Sequence, residues 1–121
     1  MVVDDEPDLL KIVEKYLKAW HFEVDAFNNP YEALAYFQKN AASFSLILTD
    51  VRMPGMSGLE LAQDMLRLKP DIKVMLMTAY ETDTLAFQHT LPTVKYEDIL
   101  HKPFRLQQIC NGVRKQLAIT S

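Results

Sequence analysis

The sequence is poor in the residues that build disulfide and zinc sites. Cys110 is the single cysteine in 121 residues, so an internal disulfide is excluded, and the cysteine and histidine spacing of a zinc site is missing. We expect Cys110 to be a core residue rather than a reactive thiol. The three histidines, His21, His89 and His101, do not pair at helical spacing, which argues against a metal site built from them.

The sequence also lacks long apolar runs and an excess of positive charge. No apolar run approaches the roughly 20 residues that cross a bilayer, and the segment Met1–Glu6 lacks the basic and apolar order of a secretion signal. With 13 basic and 16 acidic residues, the chain has a net charge of −3 and offers no electrostatic footprint for nucleic acid. We expect a cytoplasmic protein that contacts neither nucleic acid nor a membrane directly.

The strongest pattern in the chain is an alternation of short β-like runs with amphipathic stretches. Two runs, Leu46–Leu48 and Val74–Met77, are apolar without alternation, which is typical of strands buried on both faces of a parallel sheet. Three further strands are predicted at Val2–Val3, Phe22–Phe27 and Asp98–Leu100.

Helix signals fall between these runs. Apolar residues recur at helical spacing from Leu9 to Trp20, and a last helix is predicted after Pro103, weakened by Gly112. Asn29 and Ser57 have the sequence context of N-caps for two more helices. Strands alternating with helices predict an α/β, (βα)5 fold: one domain over residues 1–121, with a five-stranded parallel sheet and helices on both faces.

Polar residues close the predicted strands. In a parallel α/β sheet, ligands and catalytic groups collect beyond the carboxyl ends of the strands. Asp4 and Asp5 follow the first strand, Asp50 the third, Thr78 the fourth and Lys102 the fifth. We therefore expect these side chains to form one site.

These residue types suit a metal ion and a phosphoryl group. Clustered carboxylates repel one another unless a hard cation such as Mg²⁺ neutralises them, and we predict Asp5 and Asp50 as direct ligands with Asp4 acting through water. Asp50 is placed to be a nucleophile that forms an aspartyl phosphate. The Thr78 hydroxyl and the Lys102 ammonium are expected to bind phosphoryl oxygens.

The same residues resemble the receiver domain of two-component response regulators over essentially the whole chain. The matching elements are Asp4-Asp5-Glu6, the loop from Asp50 to Gly58, Thr78-Ala79 and Lys102-Pro103-Phe104. Several separated elements in the right order, each closing a predicted strand, are far more specific than one short motif.

The resemblance implies a flavodoxin-like fold and a Mg²⁺-dependent switch rather than a turnover enzyme. A sensor histidine kinase or phosphotransfer protein would donate the phosphoryl group to Asp50, and slow self-dephosphorylation would follow. The Arg52 carbonyl would complete the metal shell, and the Lys102–Pro103 peptide would be cis. The partner on the output side would be a downstream effector or an attached output domain, and a homodimer stays open.

The chain departs from the family pattern between the fourth predicted strand and Lys102. Receivers usually carry Tyr or Phe three residues before the lysine, where this chain has Ile99, with Tyr96 three residues earlier. Pro92 interrupts the stretch from Glu81 to Lys95, so we expect a short or partly unravelled helix there. Only three residues precede Asp4, which is short for a strand inside a sheet, so we expect a trimmed chain. The chain ends just after the last predicted helix, so we expect either a stand-alone receiver or an excised one.

Two other functions compete with the receiver hypothesis. An aspartyl-phosphate phosphatase would need a general acid two residues after Asp50, but Arg52 stands there. A phosphorylation-independent interaction module would keep the fold and use an altered output face. The complete set of acidic residues, Thr78 and Lys102 argues against it, whereas Ile99 and the Pro92 region keep it open.

Overall fold

Five parallel strands form one sheet in a computed structural model of the protein, which describes residues 1–80, 89–91, 94–95 and 98–118. The sheet order is β2-β1-β3-β4-β5. The strands are β1 (Val2–Val3), β2 (Ala26–Phe27), β3 (Leu46–Asp50), β4 (Lys73–Thr78) and β5 (Ile99–His101). Helices cover the sheet, with bounds α1 (Pro7–Ala19), α2 (Pro30–Asn40), α3 (Gly58–Leu68) and α4 (Leu106–Gln116), and a 3-10 turn lies at Ala41–Ser43. The predicted flavodoxin-like α/β architecture is confirmed.

Hydrophobic side chains form two core clusters, one on each face of the sheet. Successive strand residues point to opposite faces, so Ile47 packs in one cluster and Leu48 in the other. The first cluster takes Phe37 of α2 and Met65 of α3, whereas the second takes residues of α1 and α4 such as Val13. This double burial explains why β3 and β4 are apolar without alternation.

The second strand is shorter than the sequence predicts. The run Phe22–Phe27 was expected to be a strand, but β2 spans only Ala26–Phe27. Among the described residues its ladder partner is β1, in which Val2 and Val3 pair with Ala26 and Phe27. Phe22 is half-buried and packs against the second core cluster instead.

The predicted helix starts are confirmed by hydrogen bonds. Asn29 Oδ1 accepts from the amides of Tyr31 at 2.8 Å and Glu32 at 3.2 Å, and this caps α2. Ser57 Oγ accepts from the Glu60 amide at 3.2 Å at the start of α3. Each cap satisfies backbone donors that have no partner inside the helix.

Three further expectations concern Cys110, the Lys102–Pro103 peptide and Gly112. Cys110 is buried, and the Lys102–Pro103 peptide is cis, both as expected. Gly112 lies within α4, where an added Cβ would overlap the flexible end of Met75, so the glycine lets the helix pack closely on the sheet.

The expected short helix between Glu81 and Lys95, with Pro92 and also Tyr96, falls largely outside the described residues. None of the described helices is long and apolar enough to cross a membrane.

Candidate acidic site at the carboxyl edge of the sheet

Strand register brings the predicted site residues to one edge. Val3 pairs with Thr49, so the residues that follow β1 and close β3, Asp4 and Asp50, are neighbours. Asp50 pairs with Met77, one residue before Thr78, and the Lys102 amide donates to the Thr78 carbonyl at 2.8 Å. The carboxyl ends of four strands therefore lie together, at the edge where ligands bind in parallel α/β sheets.

Three carboxylates form a compact cluster at this edge. Asp4, Asp5 and Asp50 each offer an oxygen, and these oxygens lie within 4.8 Å of one another. Asp4 is 0% exposed and Asp50 6% exposed, whereas Asp5 is half-buried. Such closely packed carboxylates require compensating positive charge.

Lys102 provides part of that charge. Its Nζ lies 3.4 Å from Asp50 Oδ2 and 3.7 Å from Asp4 Oδ2. It also lies 3.8 Å from Glu6 Oε1, at the exposed side of the cluster. The lysine therefore bridges the carboxylates that follow β1 and β3, and the glutamate is a partner that our sequence interpretation did not assign.

Burial and charge shift the titration of the site. Burial, followed by the charge of Asp4, raises the pKa of Asp50 to about 7, against the opposing effect of Lys102. Burial likewise raises the pKa of Asp4. Burial works against the charged form of Lys102, but the charges of Asp4, Asp50 and Glu6, with the hydrogen bond to Asp50, outweigh it and raise the lysine pKa. Asp50 is therefore poised to gain or lose a proton near neutral pH.

Thr78 lies at the same edge with its hydroxyl turned to the following loop. Its side chain is buried, and Oγ accepts from the Tyr80 amide at 3.0 Å. The hydroxyl also lies 3.4 Å from the Tyr80 carbonyl, to which it donates. The loop after β4 is thereby hydrogen-bonded to the side chain expected to bind a phosphoryl oxygen.

An exposed cation–π pair borders the site. The Arg52 guanidinium lies 3.9 Å from the centre of the Tyr80 ring. Arg52 follows the end of β3 by two residues and Tyr80 follows the end of β4 by two residues, and these strands are paired. Because both residues follow the ends of paired strands by the same number of positions, their proximity could have been predicted from the sequence. The role of the Arg52 carbonyl as a metal ligand stays a prediction.

Gly58 allows α3 to start directly against the site. A Cβ at this position would overlap the carbonyl oxygen of Asp50, and the Gly58 amide donates to the Val51 carbonyl at 2.7 Å. The sequence interpretation used Gly58 only as part of a helix start and a loop motif. Glycine is required at this position because the Asp50 backbone, eight residues earlier in the chain, leaves no room for a Cβ.

The donor set fits a hard divalent cation. Asp4 Oδ2 is buried and has no hydrogen-bond donor within the described part of the chain. Together with Asp5 and Asp50 it presents only oxygen atoms, at a spacing that one ion can bridge. Mg²⁺ prefers such oxygen ligands and is commonly held by one or two carboxylates, water and substrate phosphate.

Comparison with known proteins points to one family. A family model described as the response regulator receiver domain matches residues 1–114. The response regulator receiver protein CpdR of Brucella abortus is 32% identical over 117 residues, covering 97% of this chain and 94% of the relative. The C4-dicarboxylate transport transcriptional regulatory protein DctD of Rhizobium meliloti is 32% identical, but the 94% of this chain that aligns covers only 24% of that protein.

Solved structures agree on the fold. A two-component transcriptional regulator AraC from Clostridium phytofermentans has a TM-score of 0.82 at 27% identity, covering 97% of this chain and 90% of the other. A response regulator receiver domain protein from Clostridium thermocellum has a TM-score of 0.84 at 23% identity, covering 97% and 91%. At that lower identity the likeness shows the fold alone.

Proposed function

Because this chain belongs to the family of response regulator receiver domains, we propose that Asp50 is its phosphoryl acceptor. Receiver domains of two-component response regulators are phosphorylated on an aspartate and act as signalling switches. The observation that most supports Asp50 as the acceptor is the 3.4 Å distance between Asp50 Oδ2 and Lys102 Nζ. Asp50 Oδ1 accepts from the Val51 amide at 3.0 Å, so the carboxylate is held with Oδ2 toward the lysine.

The proposed reaction is transfer of a phosphoryl group from a phosphohistidine. An oxygen of ionised Asp50 bonds to phosphorus, the phosphorus–nitrogen bond breaks, and the departing imidazole takes up a proton. The acceptor becomes an acyl phosphate. Ionisation of Asp50 is required, and its pKa of about 7 makes that step sensitive to the charge around it.

Neighbouring side chains would support this transfer in distinct ways. Lys102, which already contacts two carboxylates, would pair with a phosphoryl oxygen. The Thr78 hydroxyl would exchange its long bond to the Tyr80 carbonyl for a bond to another phosphoryl oxygen. Because Thr78 also accepts from the Tyr80 amide, this exchange would displace the loop after β4 and bias one of two conformations.

Mg²⁺ is the metal that this proposal requires. Receiver domains bind Mg²⁺ through an acidic pocket, and the Asp4, Asp5 and Asp50 cluster is that pocket's counterpart here. Asp5 and Asp50 would be direct ligands, Asp4 would act through water, and the Arg52 carbonyl would complete the shell. The ion would neutralise the negative charge that accumulates during transfer.

The partners follow from the family and remain proposals for this chain. The donor would be a sensor histidine kinase or a phosphotransfer protein, and the output would pass to a downstream effector or an attached output domain. The chain spans nearly all of CpdR, but 50% of the heme response regulator HssR of Staphylococcus saprophyticus and 24% of DctD. The cytoplasmic location and the single-domain organisation stay predictions.

The direct test is formation of a covalent adduct at Asp50. The protein is incubated with Mg²⁺ and acetyl phosphate, and intact mass is followed for a base-labile adduct. Wild type should form the adduct, whereas Asp50→Asn should not. Asp71→Asn, which changes an exposed carboxylate before β4, is the matched control and should behave as wild type.

Other outcomes would contradict the proposal. An adduct that persists in Asp50→Asn would place the acceptor elsewhere. Repeated turnover without a stable adduct would indicate a phosphatase, although the residue two positions after the acceptor is Arg52, stacked on Tyr80, rather than an acid.

One observation favours a second candidate function, a phosphorylation-independent interaction module. Ile99, at the position where receivers usually carry an aromatic ring, is only 6% exposed and belongs to the first core cluster. A branched aliphatic side chain fixed in the core does not have the inward and outward ring positions of an aromatic switch. Absence of any adduct in folded wild type with Mg²⁺ would support this alternative.

A further inference from the structure

Glu6 occupies the N-cap position of α1 without capping the helix. Its backbone is extended, with φ −89° and ψ 104°, and no amide of α1, a helix that the structure describes in full, donates to its side chain. N-cap positions favour Ser, Thr, Asp and Asn, whose short side chains accept from the first amides of a helix. The start of α1 therefore does not explain why a glutamate stands at position 6.

The Glu6 side chain instead reaches the lysine of the acidic site. Glu6 Oε1 lies 3.8 Å from Lys102 Nζ, close to the 3.7 Å that separates the same nitrogen from Asp4 Oδ2. The Glu6 amide donates to Asp4 Oδ1 at 2.9 Å. One residue thus fixes the Asp4 carboxylate through its backbone and contacts the lysine through its side chain.

Exposure distinguishes Glu6 from the other carboxylates around the lysine. The Glu6 side chain is 63% exposed, against 1% for Asp4 and 8% for Asp50. The Lys102 side chain is 17% exposed. Since both aspartates are buried, the charge on the solvent side of the lysine is that of Glu6. An anion that approaches the ammonium from solvent therefore meets a negative charge beside it.

A phosphoryl group and Glu6 would compete for the same ammonium. An ammonium has three N–H donors, and that of Lys102 already faces the carboxylates of Asp4, Asp50 and Glu6. Glu6 is the partner that can turn away most easily, because its side chain is exposed to water. Displacing it breaks an ion pair, and its charge also repels the incoming anion. Both effects increase with the negative charge of the donor.

We propose that Glu6 determines donor specificity at the phosphoryl site, where it disfavours small anionic phosphodonors by competing for Lys102 and by repelling their charge. This inference rests on the proposed function of Asp50. A donor that docks as a protein gains contacts away from the site, which offset the repulsion, whereas a small donor has no such contacts. Glu6 thereby limits phosphorylation that bypasses the protein donor.

The test compares two small donors of different charge, the dianion acetyl phosphate and the monoanion phosphoramidate, at neutral pH. In both reactions an oxygen of ionised Asp50 bonds to phosphorus. With acetyl phosphate the phosphorus–oxygen bond breaks and acetate leaves. With phosphoramidate the phosphorus–nitrogen bond breaks and ammonia leaves, since the nitrogen already carries the proton that it needs. Intact mass gives the initial rate of adduct formation with Mg²⁺ present.

Glu6→Gln keeps the length of the side chain and removes its charge. With acetyl phosphate this variant should react about threefold faster than wild type, which is the size of effect expected from an exposed ion pair. With phosphoramidate the gain should be less than about twofold. Raising the ionic strength to about 1 M should reduce the gain with acetyl phosphate, because the Debye length falls to about 3 Å.

Glu23→Gln is the matched control. It makes the same change at an exposed position before β2, at the amino edge of the sheet and so away from the acidic site. It should react as wild type does with both donors. Circular dichroism confirms that each variant is folded.

A second readout does not depend on the reaction. In EDTA, the Nζ resonance of Lys102 in protein with isotope-labelled lysine should shift in Glu6→Gln and stay unchanged in Glu23→Gln. Loss of that resonance in Lys102→Gln assigns it. A shift shows that the two side chains meet in solution, which a change in helix stability alone would not produce.

Several results would overturn the inference. Equal rates for wild type and Glu6→Gln, an equal gain with both donors, or an unchanged lysine resonance would each do so while leaving Asp50 as the acceptor. An equal gain in Glu23→Gln would assign the effect to net charge instead. Absence of an adduct in wild type with either donor would contradict the proposed function, and this inference with it.

Discussion

The titration of Asp50 predicts how the stability of the metal-free protein changes with pH. Burial raises the pKa of Asp50 to about 7, against an ordinary value of 3.8 in the unfolded chain. Between these values the folded state holds a proton that the unfolded state has released. Stability therefore falls as pH rises through this window, because the unfolded state binds fewer protons.

The size of the effect follows from the two pKa values. The difference between 3.8 and about 7, at about 1.36 kcal/mol for each pKa unit, corresponds to about 4 kcal/mol once Asp50 is ionised in both states. From about pH 5 to about pH 8 the loss amounts to about 3 kcal/mol, since part of it has already occurred below pH 5. Asn at position 50 has no such titration and should lack this loss.

Urea unfolding in EDTA at these two pH values measures the difference. The free energy of unfolding of wild type should fall by about 3 kcal/mol more than that of Asp50→Asn. Added Mg²⁺ should restore wild-type stability at the higher pH, because the ion binds the ionised carboxylates of the folded state. Asp71→Asn, which changes an exposed carboxylate, should follow wild type.

Parallel pH profiles for wild type and Asp50→Asn would refute this account. They would mean that Asp50 titrates near its ordinary pKa and that burial beside Asp4 does not control it. A wild-type protein that gains stability relative to the variant as pH rises would reverse the sign and would imply that Lys102 outweighs burial.

Three further perturbations have expected outcomes. Lys102→Gln removes the cation that opposes burial, so NMR titration of the Asp50 carboxyl in EDTA should give a pKa above that of wild type. Gly58→Ala should lower the free energy of unfolding by about 3 kcal/mol because its Cβ overlaps backbone, whereas Gly112→Ala should change it by less than about 1 kcal/mol because a flexible side chain can move away. Ser57→Ala should cost about 1 kcal/mol in the same urea assay through loss of the α3 cap, and Ser57→Asn should recover most of it.

The position of the acidic site could be predicted because strand ends are visible in the sequence. Asp50 and Thr78 each close an apolar run, and parallel strands place such residues at one edge. The caps at Asn29 and Ser57 were predictable for a similar reason, since cap chemistry involves residues only two or three positions apart.

Features that depend on contacts across the fold could not be predicted in the same way. The pairing of Lys102 with Glu6 joins residues far apart in the chain, and the requirement for glycine at position 58 arises from the Asp50 carbonyl. The short β2 reflects the two residues that β1 offers as a partner, rather than the β propensity of Phe22–Phe27.

The ammonium group among the three aspartates has a consequence for which ions can complete the site. Ionised Asp4, Asp5 and Asp50 with protonated Lys102 leave a formal excess of two negative charges, and Glu6, which also contacts the lysine, adds a third. One divalent ion would reduce this excess to a single negative charge, whereas one sodium or potassium ion would leave two. The net charge of the pocket therefore favours a divalent over a monovalent cation.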